Sequence, residues 1–315
     1  MLKRIERRNA KLGMFIHDPH LPRLDRWVGG FLLTTNQDLE RVQRSNLETV
    51  VIDTGLGMDV EDYRASTTAP TVWLQSESHI DLLGAAKARV RALFADARLG
   101  VSSFDEADSA VRAIYRSILA DPTALIEMSR VKDDEDDLQR HSMAVSGLMM
   151  QFAEFLDLAP PTVQVLGVGG LLHDIGKIYL SSDILAKTAA LTEEERNAIA
   201  LHPQRGHDLL AQDPTMPELV LDICLHHHEK LNGAGYPHGL KAGEISLAVQ
   251  IATLCDVYEA LTSKRSYKPA WSSADALSSM SQTLDYFDEE LFNQFRLFVK
   301  QTFFNQDTKN TAACL

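Results

Sequence analysis

The sequence predicts a mainly α-helical protein, in which an all-helical domain follows a small N-terminal α+β domain that is mostly β. Three observations support this fold class. The first 70 residues alternate short apolar runs with glycine and proline, a pattern typical of short strands and turns. Residues 78–131, and nearly everything after 138, instead repeat apolar side chains at helical spacing. The length of 315 residues is enough for about two domains.

We expect four segments along the chain. Residues 1–70 form the small domain, with strands in GMFIHD, GGFLLTT and TVVIDTG and a helix near LERVQRSN; residues 71–132 form a helical linker; residues 133–300 form the all-α domain; and the polar residues 301–315 form a flexible tail. Within the all-α domain, Thr192 and Glu195 have the spacing of a capping box. That helix start places His202 near the end of the same helix.

The excess negative charge lies in the second half of the chain. The formal net charge is −13, and residues 133–315 carry 26 acidic but only 13 basic side chains, which argues against DNA or RNA binding through a broad basic surface. The opening MLKRIERRNAKLGMF lacks the apolar segment of a secretory signal, and no apolar run reaches the roughly 18 residues of a membrane span. Together with three widely spaced cysteines, these features predict a cytoplasmic protein.

The histidines concentrate in the same acidic half, since eight of the 11 fall between residues 141 and 238. The strongest local pattern is GGLLHDIGK, residues 169–177, in which an apolar helix ends on His173 and Asp174. A buried carboxylate beside an imidazole needs a partner, and a divalent metal ion is one that both side chains can bind. Alone, such a pair is more often structural than metal-binding.

Further histidines and one more aspartate occur at predicted helix ends or inside an apolar helix, where several helices can converge. The residues predicted to bind metal are His141, His173, Asp174, His202, His227, His228 and Asp256. Because these side chains offer nitrogen and oxygen but no thiolate, they favour iron or manganese over a structural zinc ion. One ion needs fewer ligands, so we predict two divalent ions, with Asp174 able to bridge them, and hence phosphoester chemistry.

Three motifs resemble the HD-GYP branch of the HD phosphohydrolases: HDIGK (173–177), HHHEKLNGAGYP (226–237) and DVYEALTSKRSY (256–267). The resemblance covers about residues 135–298, and the family pattern HHExxxGxGYP is met residue for residue from His227 to Pro237. The first 70 residues resemble the small domain of unknown role that often precedes an HD-GYP domain. The resemblance implies hydrolysis of the bacterial second messenger cyclic di-GMP to linear pGpG, with GMP as a further end product.

The resemblance also implies roles for individual residues. It assigns the seven metal ligands named above, and it gives Asp174 and Lys177 catalytic roles beside a metal-bridging hydroxide. The side chains expected to bind substrate are Lys177, Tyr236, Arg265 and Lys268. Asp137, one helical turn before His141, stands where some members hold a third metal ion with a glutamate; its shorter side chain favours two ions over three. The GYP loop is further implied to contact diguanylate cyclases, so Tyr236 can serve either substrate or partner.

Some positions depart from the family pattern without removing a ligand. Asn232 and Glu259 each stand in place of an expected aspartate, and His226 is interpreted as a helix-end histidine without a family role. Two alternatives stay open: the same chemistry acting on another cyclic dinucleotide or on a nucleotide, and a sensor or scaffold that binds cyclic di-GMP without turnover. For the N-terminal domain, regulation or homodimerisation is a hypothesis drawn from its position alone.

Overall fold

The computed structural model describes residues 2–11, 14–16, 31–33, 39, 42–44, 49–53, 79–120, 137–185, 187–263 and 270–304. Within these ranges the chain is mainly helical with one small N-terminal sheet, which confirms the predicted fold class. Arg265, Lys268, half of the residues in LERVQRSN (40, 41, 45 and 46) and the tail beyond residue 304 lie outside the described residues.

The described N-terminal residues contain four short strands: β1 (Leu2–Glu6), β2 (Phe15–Ile16), β3 (Phe31–Leu32) and β4 (Thr49–Asp53). They form one antiparallel sheet in the order β1-β4-β2-β3, in which β1 and β4 pair along their full length. Alternate side chains point to one face of a strand, and that face of the sheet is buried. Its apolar cluster includes Ile5, Ile16, Val50 and Ile52.

In the described part of the chain, the helices are α1 (His79–Arg98), α2 (Phe104–Ala120), α3 (Asp137–Phe155), α4 (Pro160–Leu172), α5 (Ser182–Leu185), α6 (Glu193–Ala200), α7 (His202–Leu210), α8 (Glu218–His226), α9 (Leu247–Thr262), α10 (Ser273–Met280) and α11 (Glu289–Val299). Two 3-10 segments, Ile175–Tyr179 and Ser281–Tyr286, interrupt this series, and a π-helical turn, Lys300–Phe304, extends α11. None of these described helices combines the length and the apolar character that crossing a lipid bilayer demands.

The two helices expected to form a linker share an apolar core with the helices that follow residue 137. Helices α1 and α2 pack against each other, α2 also packs on α3 and α4, and α1 contacts the 3-10 segment after α4. Phe94 of α1 and Ile114 of α2 are completely buried in that core. These two helices therefore support the wall of helices that carries the candidate site.

Helix α4 is the central helix of the all-α domain. Its sequence PPTVQVLGVGGLL contains no charged residue, and every residue from Leu166 to Leu172 is buried. A helix that is apolar on all sides is stable only inside a core. Helices α2, α3, α8 and α9 pack around it. Consequently the residues that follow its last turn, His173 and Asp174, are delivered to the interior.

Helices α6 and α7 meet at a proline. Thr192 and Glu195 form the predicted capping box at the start of α6. The prediction that His202 lies near the end of that helix is corrected, because α6 ends at Ala200 and His202 is the first residue of α7. Pro203 has no backbone N–H to continue the α6 ladder, but proline is tolerated in the first turn of a new helix.

Candidate metal centre and active site

The seven predicted ligands converge from five parts of the chain into one largely buried cluster. They come from α3, the turn after α4, the start of α7, the end of α8 and the middle of α9. Their donor atoms form three overlapping groups, each lying within 4.8 Å: Asp174 with His202, His227 and His228; His141 with His173 and Asp174; and His173 with His227 and Asp256. The structure thus brings together all seven side chains that the sequence singled out.

The carboxylate of Asp174 lies between two sets of imidazoles. Its Oδ1 is 3.0 Å from His202 Nε2 and 3.5 Å from His227 Nε2. Its Oδ2 is 3.4 Å from His173 Nε2 and 3.6 Å from His141 Nε2. Each carboxylate oxygen therefore faces a different pair of ring nitrogens, so Asp174 could offer one oxygen to each of two cations.

Lys177 supports the negative charge of Asp174. The Nζ atom of Lys177 donates a hydrogen bond to Asp174 Oδ2 at 2.6 Å. Burial acts to raise the pKa of the Asp174 carboxyl, but Lys177 and the imidazoles of His173 and His202 outweigh it and hold this pKa well below its usual range. Asp174 is therefore an ionised carboxylate, the protonation state that binds metal.

Backbone carbonyls fix the outer ring nitrogen of three of the histidines. The contacts are His173 Nδ1 with Gly170 O at 2.8 Å, His202 Nδ1 with Ile199 O at 2.6 Å, and His227 Nδ1 with Cys224 O at 3.1 Å. A carbonyl oxygen only accepts, so each Nδ1 carries the proton in this assignment and each Nε2 presents a lone pair to the cluster. Such outer hydrogen bonds orient histidine ligands in metal sites.

His141 is held by carboxylates on both sides of its ring. Its Nε2 lies 3.0 Å from Asp256 Oδ1, and its Nδ1 is hydrogen-bonded to Glu259 Oε2. Asp256 and Glu259 are three residues apart on α9, so both reach His141 from the same side of that helix. The hydroxyl of Ser263 donates to the other oxygen of Glu259. Sequence reasoning noted Glu259 only as a departure from the family pattern and missed this contact.

Replacing Glu259 with glutamine is expected to weaken metal binding about 10- to 100-fold, because the neutral amide no longer stabilises the orientation and basicity of His141. A competition titration against a chromophoric chelator measures the affinity. Glu218→Gln, at an exposed site in the first turn of α8, is the matched control and should bind as the unaltered protein does. Equal affinities in all three proteins would show that Glu259 does not act on the metal centre.

The same surroundings set the charge of the histidines. Burial acts to lower the pKa of His141, but Glu259 and Asp256 outweigh burial and raise it to about 10. For His227, burial lowers the pKa to about 4 and the nearby Asp174 only partly opposes this shift. In the metal-free protein at neutral pH, His141 is therefore protonated and His227 is neutral.

Metal binding near pH 7 is consequently expected to release one proton from His141. The pKa of about 10 lies above the working pH, so the lone pair of Nε2 becomes available only when that proton leaves. His141 alone then makes the apparent affinity rise about tenfold per pH unit between about pH 7 and 9. Calorimetric titrations in two buffers of different protonation enthalpy count the protons, and a count of zero at pH 7 would contradict this assignment.

The donor set suits divalent cations. Among the described residues, His173 Nε2 and Asp174 Oδ1 are buried without a hydrogen-bond partner, and His202 Nε2 lies only 3.3 Å from His227 Nε2. With the assigned tautomers, each of these four atoms presents a lone pair to the cluster and none presents a proton. A cation placed among them would stabilise this arrangement. Cys224 and Cys255 are the free cysteines of the described residues, and neither is in a candidate ligand group. Cys224 faces backbone carbonyls of His173 and Pro203, and burial raises the pKa of both thiols, so the candidate donors are nitrogen and oxygen.

Two further predicted residues take different positions. Tyr236 stacks on the ring of His228, with ring centroids 4.7 Å apart and an interplanar angle of 28°. Asp137 lies outside the cluster, since its side chain is 59% exposed and pairs with Arg140. Arg265 and Lys268 cannot be placed, because both lie outside the described residues.

Comparisons with known proteins identify the family of this chain. The HD domain model matches residues 115–291, more than half of the chain, and a domain of unknown function, DUF3391, matches residues 2–124. The cyclic di-GMP phosphodiesterase PA4108 of Pseudomonas aeruginosa is 38% identical over 315 aligned residues, which cover 94% of this chain and 76% of that protein. The chain belongs to the HD-GYP branch of the HD-domain family.

Two other proteins resemble this HD-GYP protein. A 3'3'-cGAMP-specific phosphodiesterase of Vibrio cholerae is 34% identical over 141 residues, or 45% of this chain and 32% of the relative. The structure of Bd1817, a HDG"Y"P protein from Bdellovibrio bacteriovorus, superposes with a TM-score of 0.58 at 16% identity, covering 95% of this chain and all of that one. At that identity the superposition shows a shared fold.

Proposed function

We propose that this HD-GYP protein is a metal-dependent phosphodiesterase that hydrolyses cyclic di-GMP to linear pGpG. The observation that carries the proposal is the ionised carboxylate of Asp174, which lies between two sets of histidine nitrogens. The substrate is inferred from the Pseudomonas aeruginosa relative, which is named for cyclic di-GMP and aligns along nearly the whole chain.

The proposed ligands of two divalent ions are His141, His173, Asp174, His202, His227, His228 and Asp256. Divalent cations held there supply a water nucleophile of lowered pKa and neutralise charge on the phosphoryl oxygens. Nitrogen and oxygen donors favour iron or manganese. We favour two ions over three because Asp137 is exposed and paired with Arg140 rather than turned towards the cluster.

The remaining roles fall to side chains at the rim of the cluster. Lys177 Nζ is anchored on Asp174 and its side chain is 22% exposed, so it can donate a charge-assisted hydrogen bond to a phosphate oxygen. Tyr236 offers an aromatic face next to His228. In a chain of net charge −13, an anionic dinucleotide needs such local cations, and we propose Arg265 and Lys268 as two more.

The direct test is turnover by protein loaded with iron or manganese. We expect conversion of cyclic di-GMP to pGpG, loss of turnover after chelation, and recovery when the metal is returned. Elemental analysis should give two metal ions per chain. Loaded protein that leaves cyclic di-GMP intact would refute the proposed activity, and binding without turnover would favour the sensor or scaffold alternative.

A second candidate is the same chemistry on another cyclic dinucleotide. The similarity to a 3'3'-cGAMP-specific phosphodiesterase favours including that compound. The ratio of kcat/KM for cyclic di-GMP and 3'3'-cGAMP, measured on one preparation, decides between them. Further hydrolysis to GMP, contact with diguanylate cyclases through the GYP loop, homodimerisation and a cytoplasmic location stay predictions.

A further inference from the structure

Glu229 follows the two ligand histidines directly, yet its carboxylate binds backbone amides. The side chain is buried, with 1% of the residue exposed. Oε1 accepts hydrogen bonds from the backbone N–H groups of His238 at 2.7 Å and Gly239 at 3.0 Å, and Oε2 accepts one from Leu240 at 3.0 Å. Three consecutive amides around one carboxylate form a strong, charge-assisted set of hydrogen bonds. Glu229 is also in none of the candidate ligand groups found among the described residues.

These amides belong to the GYP loop, defined here as residues 230–244, which folds back over the metal centre. At Gly235 the loop comes back against the backbone of Glu229, because a Cβ added at Gly235 would lie 2.4 Å from the Cα of Glu229. The next residue, Tyr236, donates its backbone N–H to His228 O at 3.3 Å and stacks its ring on the ring of His228. Glu229 then holds the chain immediately after Tyr236 and its following proline.

The start of the GYP loop is fixed on its other side by the 3-10 segment Ser281–Tyr286. Leu231 N donates to Tyr286 O at 3.2 Å, and Asn232 Nδ2 donates to Asp285 Oδ2 at 2.8 Å. An aspartate at position 232, the residue expected from the family pattern, would instead face the Asp285 carboxylate. The start of the loop is therefore held before Tyr236, and the Glu229 contacts hold the chain after it.

We propose that Glu229 is a positioning residue: by clamping the amides of residues 238–240, it holds Tyr236 against His228 and sets the wall of the substrate site beside the metal centre. The kinetic consequence rests on the proposed phosphodiesterase function, whereas the clamp itself does not. Glu229 thus acts on substrate binding through Tyr236 rather than on metal binding.

Amide hydrogen exchange tests the clamp without turnover. In Glu229→Gln, one acceptor oxygen becomes an NH2 group that faces a backbone N–H, and we expect exchange in peptides spanning 236–242 to quicken about tenfold or more. Peptides from α9 should be unchanged. Glu244→Gln is the matched control: among the described residues its carboxylate accepts one hydrogen bond, from the exposed Lys241 amide at 2.8 Å, and the glutamine oxygen can still accept it. Unchanged exchange at 236–242 in Glu229→Gln would overturn the clamp.

If Glu229→Gln does not fold, Glu229→Asp replaces it in the same experiment. The aspartate keeps the charge but is one methylene shorter, so it cannot reach all three amides. We expect faster exchange at residues 236–242 with metal content unchanged. Protection equal to that of the unaltered protein would again overturn the clamp.

Kinetics with a double-mutant cycle test whether Glu229 acts through Tyr236. Glu229→Gln should raise KM for cyclic di-GMP about tenfold at full metal content, and in a Tyr236→Ala background it should change KM less than about twofold. The positioning role would be overturned if the two substitutions raised KM independently, so that their effects multiplied in the double variant, or if Glu229→Gln lost metal. If the unaltered, metal-loaded protein does not hydrolyse cyclic di-GMP, the proposed function fails, and the exchange experiment still decides the clamp.

Discussion

Replacing Asp174 with asparagine is expected to lower kcat/KM for cyclic di-GMP by at least about a thousandfold, since a bound cation supplies several kcal/mol of transition-state stabilisation. Asparagine keeps the shape of the side chain, but it is uncharged and one of its two polar atoms is an NH2 group. An NH2 group cannot bind a cation, so the asparagine side chain could complete a cation site with only one of the two sets of imidazoles. We therefore expect the metal content to fall together with the activity.

Elemental analysis and initial rates on the same preparation check this expectation. Asp183→Asn, at an exposed position on α5, is the control and should keep full metal content and rate. A melting curve in the presence of chelator separates loss of metal from loss of fold, and we expect Asp174→Asn to melt close to the unaltered metal-free protein. An Asp174→Asn protein with both its metal and its activity intact would rule out Asp174 as the bridging ligand.

Part of the candidate cluster could be predicted because its signals are local. An apolar helix that ends on His173 and Asp174, or one that carries Asp256 in its interior, places a polar group where burial demands a partner. Glu259 carried the same kind of signal, but its partner His141 lies 118 residues away in the chain. For Glu229, the motif placed a carboxylate beside two ligand histidines, and only the fold shows that it faces backbone amides.

Helical spacing predicted most of the fold but not every position on it. The periodicity of α1 and α2 revealed apolar faces, but it could not show that the helices after residue 137 cover them. Asp137 shares a face with His141 by spacing, yet it is the first residue of α3, where the side chain reaches solvent and Arg140. At His202, one proline moved the helix boundary by two residues relative to the apolar pattern.

The contact between the HDIGK turn and α7 is where one added methyl group is expected to cost the most stability. A Cβ on Gly176 would lie 2.0 Å from His202 O and 2.6 Å from Gly206 N, both backbone atoms that cannot rotate away. Gly176→Ala should therefore destabilise the fold by about 3 kcal/mol, through overpacking of a buried contact. Because the displaced segment carries His202, whose Nε2 faces Asp174 at 3.0 Å, metal affinity should fall as well.

Gly84→Ala is the matched control, since an added Cβ there meets nothing within 4 Å and the position is exposed on α1. Alanine is the better helix former, so this change should stabilise the fold by up to about 1 kcal/mol. Denaturant unfolding in chelator measures the two free energies, and a metal titration of the folded variants measures the affinity. If Gly176→Ala has the same free energy of unfolding and the same metal affinity as the unaltered protein, the HDIGK turn does not pack on α7. The geometry that joins Asp174 to His202 would then need another origin.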